Sequence, residues 1–347
     1  MGGFWRRWFA GGKAVARPRP VVVAMRPVAA PDGKSDPAPL SCAELQDRFY
    51  RLVLGMPDSD ATQLRPPEHG MLRRLDELCG GERFDITSLP RLPDVMPQLL
   101  RLLKSENADG TKINRMISRD PVLVGEVMRV SQSALYRTAK PIISLRHAVV
   151  LIGYDGLRQI VAQHVMRPIL QASAGMLGHT AGQRLWDHAE RCAHASTFLS
   201  KGQGDPFEAY LAGVVCNAGV GAMVRVMDQE ASPNLGVFSS AFLMRLMDMA
   251  NHLGLRAARH WELPPSVLEA LRERFEARAG NTAVSELGNA LLAADHLAMI
   301  DVLAQSHVIE QITPPAEVRA DRLPMPVVQR AQQELKRVFR QTEGYAG

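Results

Sequence analysis

The chain has 347 residues, 46% of them hydrophobic and 22% charged, a composition typical of a folded protein with one large domain or two modest ones. Its four cysteines form no CxxC pair, and we see no apolar run near the ~20 residues of a membrane-spanning helix, so neither a zinc ribbon nor a membrane span is indicated. The chain has a net charge of +5, but the first 34 residues alone sum to +6, so residues 35–347 sum to −1. A near-neutral main part of the chain argues against nucleic-acid binding by that part.

The N-terminal segment, residues 1–39, is predicted to be a disordered basic arm, because its six prolines interrupt any regular period. Its tip contains Trp5, Arg6, Arg7 and Trp8, a combination typical of an interfacial membrane anchor. One short segment binds a membrane surface only weakly, so a terminus without contacts is the favoured alternative. We expect this arm to be dispensable for folding.

Two short helices are predicted over residues 40–84, forming a small N-terminal hairpin. Ser41 and Glu44 have the spacing of a capping box ahead of an apolar helical face, and Gly55 supplies a stop. A second helix is predicted over residues 68–79, where leucines recur every three positions. This hairpin would lead into the main domain.

From residue 93 onward almost every segment has the period of an amphipathic helix, so the fold class is predicted to be all-α. Asp120 followed by Pro121 combines an N-cap with proline at the first helical position. Gly153 is predicted to end one helix before the next begins. The predicted helices lie near residues 94–103, 109–117, 120–130, 144–153, 155–170, 180–201, 205 onward, 240–261, 265–277, 283–304 and 326–339.

Three consecutive segments carry a family resemblance: SLPRLPDVMPQLLRLL, ISRDPVLVGEVMRVSQSALYR and PIISLRHAVVLIGYDGLRQIV. Their succession resembles the HDOD family, a set of helical domains related to the HD metal-dependent phosphohydrolases. The resemblance implies an HD-like helical bundle that usually lacks the metal ligands of its active relatives. It places the HDOD domain at residues 85–304 and leaves a C-terminal extension, residues 305–347, with one helix.

The resemblance also locates the positions that hold the metal in active HD proteins. LWDHAERCAHASTFLS, AYLAGVVCNAGVGAMV and LLAADHLAMI are similar to the ligand-bearing helices, which makes His188 and Asp295 the retained positions. The adjacent His-Asp pair of those relatives is replaced by Cys216 and Asn217. Two ligands hold a catalytic Mg²⁺ or Mn²⁺ poorly, and the HHxxxxGYP stretch of cyclic-dinucleotide phosphodiesterases is replaced by RERFEARAG. We therefore expect no catalysis and no cofactor.

A zinc site is a less favoured alternative at the same positions. His188 and Cys192 lie one helical turn apart, and Cys216 with Asp295 would complete a mixed set of four ligands. The spacing is not that of a known zinc motif, and free cysteines are more often small buried apolar residues.

The function that the resemblance implies is non-catalytic bacterial signalling through binding of a protein partner. The cysteine usage makes the reducing cytoplasm the expected location. The alternative is a phosphohydrolase or a nucleotide-binding protein that uses the residual cleft. A candidate partner surface is the methionine-rich helix from 241 to 253, since Met244, Met247 and Met249 cannot all point inward. Methionine suits surfaces that adapt to a partner, although a helix buried on most sides would explain the same pattern.

Overall fold

The structure, a computed structural model, describes residues 40–79, 110–133, 136, 142, 144–171, 178–230, 237–277, 285–309 and 323–340. Within these ranges the regular structure is helical and contains no strand, so the all-α prediction is confirmed. Predictions on residues 1–39 and 80–109, among them the basic arm and the LPRLP helix, lie outside the described residues. The helices are α1 (Cys42–Leu54), α2 (Pro66–Cys79), α3 (Gly110–Ile117), α4 (Pro121–Ser131), α5 (Leu145–Gln171), α6 (Gly178–Leu199), α7 (Pro206–Val215), α8 (Ala218–Glu230), α9 (Ser240–His260), α10 (Pro265–Ala277), α11 (Glu286–Gln305) and α12 (Met325–Arg340).

Several helix ends follow directly from local sequence. Ser41 and Glu44 form the reciprocal capping box, and Gly55 closes α1 in the left-handed region at φ 65°. Asp120 caps α4 through its side chain, which accepts the N–H groups of the next turn. Its second carboxylate oxygen lies 2.9 Å from His164 Nε2, so the same residue also ties α4 to α5.

The long helix α5 contains a break at the predicted position. Gly153 has φ 72° and ψ 174°, outside the helical region, and separates an N-terminal segment from the longer remainder. Glycine tolerates this conformation because it has no Cβ. Val150 and Tyr154 lie on either side of the break and are 77% and 42% exposed, so the break presents apolar surface.

Helices α6 and α11 form the centre of the molecule. Fifteen of the twenty residues of α11 are buried, and its apolar character extends around the whole helix, as expected for a helix surrounded by others. Arg191 of α6 donates to Asp301 of α11 at 2.7 Å, joining the two through a buried ion pair.

Two helical segments are long and apolar enough to span a membrane, contrary to the expectation from sequence. They are Pro206–Asp228, which contains α7 and most of α8, and Glu286–Gln305, which is α11. The most apolar window is 89% buried inside the protein in the first segment and 83% buried in the second. Their composition is explained by their burial among neighbouring helices, which removes the need for a polar face.

The flanking helices pack on this centre. Helix α1 contacts α6, α9 and α11, and α2 contacts α9, so the N-terminal helices complete the second of two apolar clusters. At the other end of the chain, α12 buries Val328, Ala331 and Leu335 and packs mainly on α6. Helix α7 approaches α6 very closely, since a Cβ added to Gly213 would lie 2.5 Å from Ala193 Cα.

A buried carboxylate anchors α2 to the start of α9. Glu68 is 1% exposed and accepts hydrogen bonds from the Ser239 N–H at 2.8 Å and the Ser239 hydroxyl at 2.7 Å. Arg65 donates to it from its backbone N–H and its guanidinium. Burial alone would raise the pKa of Glu68, but these donors outweigh burial and lower it to about 2.

Replacing Glu68 with alanine is expected to lower the free energy of unfolding by about 2–3 kcal/mol at pH 7, because a charged acceptor of several hydrogen bonds is lost. A carboxyl group whose pKa is lowered on folding stabilises the folded state at pH values above its unfolded-state pKa. That stabilisation is lost as the pH falls through its folded-state pKa. The difference in the free energy of unfolding between wild type and variant should therefore shrink as the pH falls from 4.5 toward 2. Urea unfolding across that range measures it, with the exposed Glu77→Ala on the same helix as control. An equal loss at every pH would show that the charge of Glu68 is not responsible.

Candidate functional site

The structure brings together all four positions identified by resemblance to metal-binding HD proteins. His188 Nε2 lies 3.1 Å from Asp295 Oδ1, and the ligand atoms of His188, Cys216 and Asp295 lie within 4.8 Å of one another. The Asn217 side-chain nitrogen lies 3.1 Å from His188 Nδ1. All four residues are buried, so the convergence is an internal centre and not an open cleft.

Each side chain comes from a different part of the helical framework. His188 lies in the middle of α6 and Asp295 in the middle of α11, the two central helices. Cys216 and Asn217 form the two-residue junction between α7 and α8. Close packing fixes this junction, because a Cβ on Gly219 would lie only 1.9 Å from the Ala250 carbonyl oxygen.

The guanidinium of Arg274, from α10, lies at the centre of the convergence, and the residue is 5% exposed. Its Nε and Nη2 donate to the two carboxylate oxygens of Asp295 at 2.8 and 3.1 Å, as a bidentate pair. The other N–H groups reach the Asn217 side-chain oxygen at 3.0 Å, the Cys216 carbonyl at 3.1 Å and the Asn251 side-chain oxygen at 3.4 Å. A guanidinium has five N–H donors, so each of them has an acceptor here.

The charges of this pair stabilise each other strongly. Burial alone would raise the pKa of Asp295, but Arg274 and His188 hold that pKa far below its usual range. Burial would likewise lower the pKa of Arg274, and the Asp295 carboxylate instead raises it well above its ordinary value. Both groups are therefore ionised at neutral pH.

Hydrogen bonding also fixes the protonation of the histidine. Arg274 holds the side-chain oxygen of Asn217, so the amide nitrogen faces His188 Nδ1 and donates to it. A histidine nitrogen that accepts a hydrogen bond carries no proton, which places the ring proton on Nε2, facing Asp295. Burial lowers the pKa of His188, but Asp295 and Cys216 outweigh burial and raise that pKa to about 9. A second proton, on Nδ1, would face the Asn217 amide donor, so the hydrogen bonds favour the neutral ring against that raised pKa.

This set of residues does not fit the hard divalent metal of active HD proteins. Cys216 and Asn217 offer no imidazole and no anionic oxygen at two of the four ligand positions. Both oxygens of Asp295 already accept hydrogen bonds from Arg274, and one also lies beside His188. The guanidinium supplies a positive charge of its own, and a metal ion beside it would be repelled in this buried setting.

The zinc alternative meets the same obstacle. Three of its four ligands, His188, Cys216 and Asp295, converge, and the fourth, Cys192, has its Sγ 3.8 Å from Cys216 Sγ. The contact with the Cys192 thiol, together with Arg274, outweighs burial and lowers the pKa of Cys216 to about 6. Burial and the neighbouring sulfur raise the pKa of Cys192. Zinc binding at these residues would require the release of Arg274 from Asp295.

Arg274 is the site residue that analysis of the sequence missed, and its helix contains a signal for it. One face of α10 buries Val267, Ala270 and Leu271. Arg274 lies seven, four and three residues after them, which places it on the same face. A cation in the apolar stripe of a helix indicates a buried acidic partner. RERFEARAG lacks histidine, but its second arginine, Arg274, is the residue that indicates the buried ion pair.

The methionine-rich helix α9 offers less surface than expected. Met247 is 1% exposed, and Met244 and Met249 are half-buried. Helix α9 contacts α1, α2, α8 and α10, so neighbours cover most of its sides. Met247 is buried in the free chain, and partner binding by Met244, Met247 and Met249 stays a prediction. Among the described residues, the large exposed apolar side chains are Val122, Val150, Tyr154 and Val237.

The helical fold and the buried convergence of His188 with Asp295 define a protein of the HD-like helical class. The HDOD domain family model matches residues 89–276, more than half of the chain, and the chain belongs to the HDOD family.

Three individual proteins illustrate the similarity. A crystal structure from Shewanella amazonensis SB2B, named as a candidate metal-dependent phosphohydrolase, is 19% identical with a TM-score of 0.54, and the match covers 79% of this chain and 99% of that one. A candidate signal transduction protein from Marinobacter aquaeolei VT8 is 18% identical with a TM-score of 0.50, over 85% of this chain and 63% of that one. An uncharacterized protein of Treponema pallidum (strain Nichols) is 22% identical over 241 residues, and the match spans 66% of this chain but only 45% of that relative.

Proposed function

We propose that this chain is a non-catalytic signalling module of the bacterial cytoplasm that acts by binding another protein. The observation that carries the proposal is Arg274, whose guanidinium takes the place of the metal charge at the centre of an HD-like fold. A fully hydrogen-bonded arginine supplies the positive charge that holds Asp295, so the helices converge without a metal. It presents neither a metal-activated water nor an open coordination position for a phosphoryl oxygen.

Membership of the HDOD family supports a regulatory role, as does the structural likeness to a protein named for signal transduction. The helical framework is retained while the centre that would perform chemistry is filled by protein groups. A framework of this kind can still act through its surface. The exposed apolar side chain of Val150, beside the break in α5, is a candidate for such a role.

The test is the metal content and hydrolytic activity of the purified full chain. We expect substoichiometric Mn²⁺, Fe²⁺ and Zn²⁺ by mass spectrometry, and no hydrolysis of cyclic dinucleotides or nucleoside phosphates with added Mn²⁺. His188→Ala is the control, because a trace contaminant would be equally active in both preparations. Mn²⁺-dependent turnover in the wild type that disappears in His188→Ala would establish the alternative, a phosphohydrolase that uses the residual centre.

Binding of a partner is tested separately by affinity capture from native lysate, with and without residues 1–39. Val150→Glu places a charge at an exposed apolar position. Met249→Glu places a charge at a half-buried position on α9. Loss of a captured protein in one variant, with an unchanged melting temperature, would locate the binding surface. The same capture by wild type and both variants would exclude these two surfaces.

A further inference from the structure

Two cysteines from different helices lie side by side next to the Arg274 centre. Cys192 lies in α6, and Cys216 is the C-cap residue that follows α7. Their Sγ atoms are 3.8 Å apart, and both are free thiols. Cys192 is 0% exposed and Cys216 is 7% exposed, so both are buried and Cys216 is the nearer of the two to the surface.

The backbones that carry the two thiols are also unusually close. A Cβ added to Gly213, one turn before Cys216, would lie 2.7 Å from the carbonyl carbon of Cys192 and 2.5 Å from the Cα of Ala193. A disulfide requires Cα atoms about 4.4–6.8 Å apart and sulfurs about 2.05 Å apart. The close helix backbones are compatible with the first requirement, and formation of the bond would need rotation of the two side chains to close a sulfur separation that is now 3.8 Å.

We propose that Cys192 and Cys216 are an oxidation site of this protein and form an intramolecular disulfide when the protein meets hydrogen peroxide. In the first step one cysteine sulfur attacks the O–O bond of peroxide and becomes a sulfenic acid, and the leaving hydroxide takes the thiol proton to form water. In the second step the other sulfur attacks the sulfenic sulfur and expels a second water. Both thiols are oxidised and one peroxide is reduced.

The disulfide would act directly on the centre described above. It would bind α6 covalently to the residue whose carbonyl accepts a hydrogen bond from Arg274. Cys216 also adjoins Asn217, whose oxygen holds the same guanidinium. Closing a loop between residues 24 apart in sequence restricts the unfolded chain, so the oxidised protein is expected to be more stable.

The experiment exposes the native full chain to hydrogen peroxide, then unfolds it, alkylates the remaining thiols and digests it with trypsin. Cleavage after Arg191, Lys201 and Arg225 places the two cysteines on separate peptides, 192–201 and 202–225, neither of which contains another cysteine. We expect these peptides to be recovered cross-linked, to separate on reduction, and the oxidised protein to melt at a higher temperature.

Cys42 serves as the internal measure of peroxide dose, because it is partly exposed. Recovery of both Cys192 and Cys216 as alkylated thiols, at a dose that has oxidised Cys42, would overturn the proposal. Recovery of either one paired with Cys42 or Cys79 would overturn it equally. Cys79→Ser should leave the yield of the cross-link unchanged, whereas Cys192→Ser should abolish it.

Discussion

Replacing Arg274 with alanine is expected to lower the free energy of unfolding by about 3–5 kcal/mol, the range observed when one partner of a buried ion pair is removed. The reason is Asp295, a carboxylate that is 2% exposed and would lose its bidentate partner. The acceptors on Asn217 and Cys216 would lose their donors as well. Thermal and urea unfolding measure the loss.

The same helix provides a matched control. Arg272 lies two residues earlier on the opposite face, where it pairs with Glu269 and Glu276 in surface ion pairs. Exposed pairs contribute little to stability, so Arg272→Ala should change the unfolding midpoint only slightly. Comparable losses in Arg272→Ala and Arg274→Ala would show that the effect comes from the helix in general. Arg274→Lys should recover only part of the stability, since an ammonium lacks the planar fork that binds both oxygens of Asp295.

Local sequence signals were sufficient to predict most of the fold. The capping box at Ser41 and Glu44, the Asp120-Pro121 helix start and the break at Gly153 each depend on a few neighbouring residues. Such features are set by backbone hydrogen bonding and by allowed dihedral angles, which short stretches of sequence encode. The all-α class follows from the same signals.

The candidate site was predictable only in part. Resemblance to HD proteins identified His188, Cys216, Asn217 and Asp295, and the structure places them together. The partner that occupies their centre, Arg274, is 57 residues from Asn217 in sequence. Only tertiary packing brings these residues together, and the helical period by itself shows no more than a cation on a buried face.

The surface of α9 is a second example of what tertiary packing decides. The period of Met244, Met247 and Met249 shows that they face different directions, and on an isolated helix some of them would be exposed. Neighbouring helices on several sides of α9 bury Met247 and half-bury the other two. The number of neighbours around a helix is a property of the whole fold, which a local pattern does not contain.

Restoring the ligands of active HD relatives is expected to create a metal site only when Arg274 is removed. The triple variant Cys216→His, Asn217→Asp, Arg274→Ala would combine His188 and Asp295 with a new imidazole and a new carboxylate. Without metal its two buried carboxylates would repel each other and weaken the fold. Mn²⁺ should therefore raise its melting temperature steeply, because a ligand that binds only the folded state stabilises it by about 2.7 kcal/mol at 100 times its Kd.

The informative control is the double variant Cys216→His, Asn217→Asp, which retains Arg274. Here the guanidinium would pair with the new carboxylate and with Asp295, so both anions already have a buried cationic partner that would repel a metal ion. Mn²⁺ should then leave the melting temperature unchanged, although the full set of four ligands is present. If instead the double variant binds Mn²⁺ as tightly as the triple variant, Arg274 is not the barrier to metal binding. The loss of the adjacent ligand pair would then be the sole reason that this centre does not suit a divalent metal.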